Sequence, residues 1–166
     1  AYLVGVTGTN GKTTTTTMIY ELLAKDRSSG VAYKAGNIGI PASSIAQDAT
    51  KEDDIVMELS SFQLMGVDTL RPNIAVITNI TEAHLDYHGN REEYVQAKWR
   101  ITENQTNNDY LILNWDQPEL QTLSKKTNAQ VIPFTKTDTI QTGAYVRDGI
   151  IYYQEEAIME AAHISV

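Results

Sequence analysis

Tyr2-Leu3-Val4-Gly5-Val6-Thr7-Gly8-Thr9-Asn10-Gly11-Lys12-Thr13-Thr14 decides the fold. An apolar run over residues 2–6 leads into a glycine-rich turn, then a lysine and a threonine, then a helical pattern. The order is strand, phosphate loop, helix. The first turn of a helix leaves backbone N–H groups unpaired, which makes it a ready anion site. Gly8 and Gly11 carry no Cβ and let the backbone curl around phosphate oxygens. Lys12 can reach the β- and γ-phosphates, and the Thr13 hydroxyl can ligate Mg²⁺. The strict motif has glycine where this chain has Val6. A glycine-rich turn in any α/β fold would read similarly, but Gly-Lys-Thr falls where a strand meets a helix, the context the motif requires.

Working outward, residues 13–25 predict a helix. Five consecutive threonines are poor helix formers, but hydroxyls in a first turn can bond backbone groups. Met18, Ile19, Leu22 and Leu23 give its apolar face. A short strand is expected over 31–34. Gly36, Gly39 and Pro41 then bracket Asn37 in a turn before a helix that begins near Pro41. Asn37 reads as a loop residue or as a phosphate-side contact. Residues 54–58 form an apolar strand that runs into Glu58. An acid at the carboxyl end of a neighbouring strand commonly holds Mg²⁺ in phosphate-loop proteins; a surface carboxylate gives the same pattern. Residues 73–80 read as another buried strand, followed by Glu82, His84, Asp86 and His88. The absence of cysteine from the chain argues against a structural zinc site there and favours a Mg²⁺ or phosphate role.

Asn90 is placed to cap a helix over 91–103, with Glu93 completing a capping box. Tyr94, Lys98 and Ile101 share one face of that helix, so Lys98 lies within an apolar stripe. Burial lowers a lysine pKa and makes the amine nucleophilic, for example toward CO₂; the alternative is a lysine that snorkels to solvent. A strand over 109–114 ends at Asn114 and Asp116, which can contact a base or ribose or can cap the helix expected over 117–126. Residues 130–134 read as the last parallel strand. Two strand-like runs around Asp148-Gly149 then predict a hairpin over 144–153.

With 166 residues and a net charge of −8, the chain reads as one domain that lacks the basic face of a general nucleic-acid binder. With no cysteine it has no disulfide framework and no thiol chemistry, which is compatible with the cytoplasm. No apolar run has the length of a membrane span, and no signal peptide is visible. A first residue so close to the phosphate-loop strand predicts a piece of a longer protein. The expected fold is a mainly parallel, phosphate-loop-type α/β sheet with helices on both faces and a small antiparallel hairpin region near the C-terminus.

The ensemble resembles the central, ATP-binding domain of the Mur ligases, which form the amide bonds of the peptidoglycan peptide. The resemblance covers nearly the whole chain. It is carried by Thr7-Gly8-Thr9-Asn10-Gly11-Lys12-Thr13-Thr14, Gly36-Asn37-Ile38-Gly39, Glu58-Leu59-Ser60-Ser61-Phe62-Gln63-Leu64, Thr81-Glu82-Ala83-His84-Leu85-Asp86 and Ala97-Lys98. The family loop also lacks glycine at the position of Val6. The stretch from Glu58 to Leu64 is most similar to the member that adds D-glutamate to UDP-N-acetylmuramoyl-L-alanine. Asn114-Trp115-Asp116-Gln117 departs from the family pattern, which has two acids after the variable residue.

The resemblance implies an ADP-forming carbon–nitrogen ligase acting through an acyl phosphate, with two Mg²⁺ and a CO₂-derived carbamate on Lys98. It implies nucleotide contacts from Gly8, Thr9, Asn10, Gly11, Lys12, Thr13, Thr14, Asn37, Asn114 and Asp116. It implies metal ligation by Thr13, Glu58, His84 and carbamylated Lys98, and catalytic roles for Lys12, Lys98 and His84. It implies flanking domains for the UDP-precursor and for the amino acid, so that the isolated chain is not expected to ligate. The competing readings are a sister ligase, a folylpolyglutamate synthase-like ligase, a phosphate-loop kinase, and a nucleotide-binding module without catalysis.

Overall fold

In the computed structural model, residues 1–26, 28–81, 89–137, 140 and 142–164 are described. The opening stretch forms β1 (Tyr2–Thr7), the loop, and helix α1 (Lys12–Lys25). There follow β2 (Ala32–Gly36), α2 (Ala42–Ile45), β3 (Asp54–Glu58), α3 (Ser61–Met65) and β4 (Ile74–Ile77). The chain continues through α4 (Arg91–Trp99), β5 (Tyr110–Asn114), α5 (Pro118–Leu123) and β6 (Gln130–Thr135). It closes with β7 (Ala144–Arg147), β8 (Ile150–Tyr153) and β9 (Glu156–Glu160). Short 3₁₀ turns extend α4 over Arg100–Thr102 and α5 over Ser124–Lys126, so both helices tighten before the ends expected from their periodicity.

The nine strands among the described residues belong to one sheet, in the order β2-β3-β1-β4-β5-β6-β7-β8-β9. Pairing is parallel from β2 to β7 and antiparallel from β7 to β9. The parallel set therefore runs one strand further than residues 130–134, and the hairpin is stitched onto it rather than standing apart. Asp148 and Gly149, both with positive φ, make the expected turn. A second turn at Gln154 and Glu155, also with positive φ, returns the chain as β9.

Strand alternation sorts the core onto two faces. Val4, Val6, Val56 and Val76 pack under Ile19, Tyr20 and Leu23 of α1. Leu59, Ala75, Ile77, Leu111 and Leu113 pack under α3, α4 and α5 through Leu64, Val95 and Leu120. Gly5 belongs to the second face, where Pro72, Ile101 and Leu59 lie 3.1, 3.2 and 3.3 Å from where a Cβ would stand and would have to give way to it. On the first face α1 does not reach the far strands. Met18, Ile19, Val76, Ile112 and Phe134 line an open apolar hollow of about 400 Å³ there. Among the described residues no helix is long and apolar enough to cross a membrane.

The register sets up the site. Val6 lies opposite Glu58, Gly36 opposite Glu58, and Thr7 opposite Ile77. The carboxyl ends of β1, β2, β3 and β4 thus come to one edge, where parallel sheets place their ligand sites.

Candidate functional site

The loop between β1 and α1 is hung on the residues that leave β4. Thr9 N–H donates to Asn79 O at 2.8 Å, and Asn10 N–H donates to Asn79 Oδ1 at 3.0 Å. Asn79 Nδ2 returns a bond to Asn10 O at 3.0 Å, and the Thr78 hydroxyl donates to the same oxygen at 2.7 Å. Gly8 has φ +149°, and a Cβ there would stand 1.9 Å from Thr78 Oγ1, so only glycine lets the loop lie this close to β4. Lys12 opens α1 and bends back over the loop, donating to Gly8 O at 3.0 Å and Thr9 O at 2.9 Å. Thr13 and Thr14 are exposed at the helix start, whereas Thr16 is buried. The threonine run therefore divides between an exposed first turn and packing.

Glu58 is buried at 2% exposure, and both its carboxylate oxygens are held. Thr13 Oγ1 donates to Oε2 at 2.7 Å, and Asn37 Nδ2 donates to Oε1 at 2.9 Å. Asn37 N–H also donates to Glu58 O at 2.8 Å. Gly36, at φ +103°, allows this approach, since a Cβ would lie 2.2 Å from Glu58 O. Asn37 is thus a hydrogen-bond partner of the acid at the loop edge, a role that neither the loop reading nor the phosphate-contact reading named.

Lys98 does not reach solvent. It is 2% exposed, with Nζ 4.7 Å from the Tyr94 ring centre and donating to Gly8 O at 2.8 Å. The Tyr94 and Thr9 hydroxyls share a hydrogen bond at 3.2 Å. Burial, and secondarily the charge of Lys12, push the Lys98 ammonium down to about 7. Lys12 and Lys98 therefore meet on one carbonyl, Gly8 O.

Of the other candidates, Asn114 donates from Nδ2 to Thr78 O at 2.9 Å and accepts from Asp116 N–H at 2.9 Å. The Asp116 carboxylate accepts from the Thr135 hydroxyl and from Lys136 N–H. Both side chains are engaged in tying β4, β5 and β6 together at the site edge. His84, with Glu82, Asp86 and His88, lies outside the described residues. Among the described residues no three His, Asp or Glu side chains come together as a metal cluster.

Asn79 and α3 went unread in the sequence. For α3 a signal was present: Ser60-x-x-Gln63 is a capping box. Ser60 Oγ accepts from Gln63 N–H at 3.3 Å, and Gln63 Oε1 accepts from Ser60 N–H at 2.9 Å. Two residues of the stretch that most resembles the D-glutamate-adding ligases thus cap a helix. Ser60→Ala is expected to destabilise the protein by about 1 kcal/mol in a thermal melt, the usual value of an N-cap. At Asn90 the side chain accepts from Glu93 N–H at 2.9 Å, while the Glu93 carboxylate accepts from the Asn90 side-chain amide.

The family model of the Mur ligase middle domain matches residues 6–164. The chain belongs to this family. It is 62% identical over 164 residues to the UDP-N-acetylmuramoylalanine–D-glutamate ligase of Enterococcus faecalis, and 60% identical over 163 residues to that of Latilactobacillus sakei. These alignments cover 99% and 98% of the chain but 36% of each relative, so the chain spans about a third of their length. Among solved structures, the MurF ligase of Thermotoga maritima in complex with ADP superposes with a TM-score of 0.71 at 24% identity. The superposition covers 95% of this chain and 39% of that one, and supports the mainly parallel α/β fold of the Mur ligase middle domain.

Proposed function

We propose that this Mur ligase middle domain serves an ATP-dependent ligase that joins D-glutamate to UDP-N-acetylmuramoyl-L-alanine in peptidoglycan precursor synthesis. The observation that carries the reading is the convergence on one loop of Lys12, the Thr13–Glu58 pair and buried Lys98. Identity near 60% with D-glutamate ligases supports the choice of amino acid.

The precursor carboxylate attacks the γ-phosphorus of ATP, an O–P bond forms, and the bond to ADP breaks. The D-glutamate amine then attacks the acyl carbon and loses a proton, and phosphate leaves. Lys12 supplies positive charge to the transferred phosphoryl group, and the N–H groups at the α1 N-terminus orient it. The hydroxyl of Thr13 and carboxylate of Glu58 are hard oxygen donors side by side, a set that suits Mg²⁺ completed by phosphate and water. That cation would neutralise charge between the β- and γ-phosphates. Lys98, taken as the carbamate, and His84 would hold a second one. A neutral Lys98 amine adds to CO₂ and sheds a proton, and the low pKa of this site favours the neutral form. Asn37 keeps Glu58 oriented, and Gly8, Thr9, Asn10, Gly11 and Thr14 form the wall around the phosphates. Asn114 and Asp116 brace the nucleotide side.

We further propose that the middle domain is one of three, with a domain for the UDP-precursor before it and one for the amino acid after it. The relatives' length and the open apolar hollow beside α1 support this. A cytoplasmic location goes with these substrates. The test is phosphate release by the intact ligase given ATP, Mg²⁺ and the precursor, with amino acids supplied one at a time. Release with D-glutamate alone is expected. Release with another amino acid keeps the ligase and replaces the substrate; release with none leaves a kinase or a binding module. The 166-residue chain alone is expected to show no steady D-glutamate-dependent release.

A further inference from the structure

Gln117, the residue before α5, closes a pair of hydrogen bonds with the backbone of Ile80. Ile80 N–H donates to Gln117 Oε1 at 2.8 Å, and Gln117 Nε2 donates to Ile80 O at 2.9 Å. Ile80 is buried at 1% exposure, so either group left unpaired would carry its full desolvation cost. A primary amide is the side chain that offers a donor and an acceptor side by side, matching both groups of a peptide unit.

A second clamp of the same kind lies one residue away. The Asn79 amide grips Asn10 N–H and O in the phosphate loop, both at 3.0 Å. Asn79 O accepts from Thr9 N–H at 2.8 Å, and Thr81 N–H donates to Thr9 Oγ1 at 2.9 Å. Residues 79–81 thus hang between two amide clamps. One fixes them to α5, whose Leu120 is fully buried; the other fixes the loop to them. Gly8, the carbonyl on which Lys12 and Lys98 converge, is the next residue along.

We propose that Gln117 is a positioning residue of the phosphate loop. Its amide sets the backbone of residues 79–81, and through Asn79 and Thr81 it sets the place of Thr9, Asn10 and the two lysines. An ionised carboxylate at this position could accept from Ile80 N–H but could not donate to Ile80 O. The effect on turnover rests on the ligase reading; the clamp itself does not.

The experiment uses the intact ligase with Gln117→Glu and Gln117→Met. Both keep the side-chain length, so folding is checked by melting and loop order by hydrogen exchange of peptides spanning residues 5–14. At pH 8 both variants are expected to exchange faster over 5–14. Both should lose about 10- to 100-fold in kcat, the scale of a small misplacement of reacting groups. Their KM for D-glutamate should stay within about twofold, since no amino-acid contact is touched. Lowering the pH protonates the new glutamate, and a protonated carboxyl again pairs a donor with an acceptor. Activity relative to wild type should then recover several-fold at pH 6 in Gln117→Glu and not in Gln117→Met. A general loss of folded protein would not give that difference. Unchanged exchange over 5–14, or identical pH responses of the two variants, would overturn the proposal. A wild-type enzyme without D-glutamate-dependent phosphate release would overturn the ligase reading instead, and exchange over 5–14 would still decide the clamp.

Discussion

Lys12→Ala in the intact ligase is expected to lower kcat/KM for ATP by about 10³-fold, the scale of removing a preorganised charge from a developing oxyanion. Lys12 donates to two carbonyls of its own loop, Gly8 O and Thr9 O. Its ammonium is therefore held over its own loop and does not have to be recruited from solvent. Lys12→Arg is not expected to rescue, because a planar guanidinium cannot fold over two adjacent carbonyls as a compact ammonium does. Stability should change little, since Gly8 O keeps Lys98 as a donor and Lys12 is only half-buried. A second consequence separates this account from a generic loss of binding. The Lys12 charge is one of the two causes that lower the Lys98 pKa. In Lys12→Ala the Lys98 ammonium should titrate higher, which amine-selective labelling across a pH series would read. Retained turnover would remove the phosphate loop from the chemistry. Lost turnover with an unmoved Lys98 titration would keep the loop and break the coupling between the two lysines.

The part of the fold legible in the sequence is the part where local and long-range requirements coincide. From β1 to α1 the apolar run, the glycines, Lys12 and the helical face all point the same way, and the structure follows them. Glu58 and Asn37 were legible as two separate possibilities; only the β2–β3–β1 register makes them one cluster with Thr13. For Lys98 the helical period gave a face but not what that face meets, because Gly8 lies 90 residues away in the chain. β9 was invisible for a different reason. Its turn puts Gln154 and Glu155 at positive φ, a conformation that Gly, Asn and Asp announce and these two residues do not. For the clamp residues Asn79 and Gln117, no pattern in the sequence tells which backbone they hold. An amide that pairs with a distant backbone looks in sequence like any polar residue near a strand or helix end.

Lys98→Met is expected to make the protein more stable and the ligase inactive. When not carbamylated, Lys98 places its ammonium against the Tyr94 ring and Gly8 O, and burial brings its pKa from 10.5 to about 7. Below about pH 7 the group is charged in both folded and unfolded chains, so the cost of burying the charge is fully present. Between about 7 and the unfolded value it is neutral only when folded, and the cost shrinks as pH rises. Above the unfolded value the cost is gone. That fall in pKa corresponds to a few kcal/mol as an order of magnitude. Methionine fills a similar volume without the charge, and Gly8 O retains Lys12 as a donor, so little is lost in exchange. In bicarbonate-free buffer the variant should melt about 5–10 °C higher at pH 6, at the 2–4 °C per kcal/mol typical of this size. The advantage should fade steadily toward pH 10. A pH-independent difference, or a variant less stable at pH 6, would show that Lys98 is not the buried charge the geometry describes. The functional half runs the opposite way. Without an amine there is no carbamate, so bicarbonate should stimulate the wild type and leave the variant inert. In Lys98→Ala, whose shorter side chain leaves space, a small carboxylic acid should restore part of the activity. A site that gives up stability to hold an amine near neutrality is hard to account for by packing alone. Gain in melting temperature together with loss of turnover would assign Lys98 to chemistry.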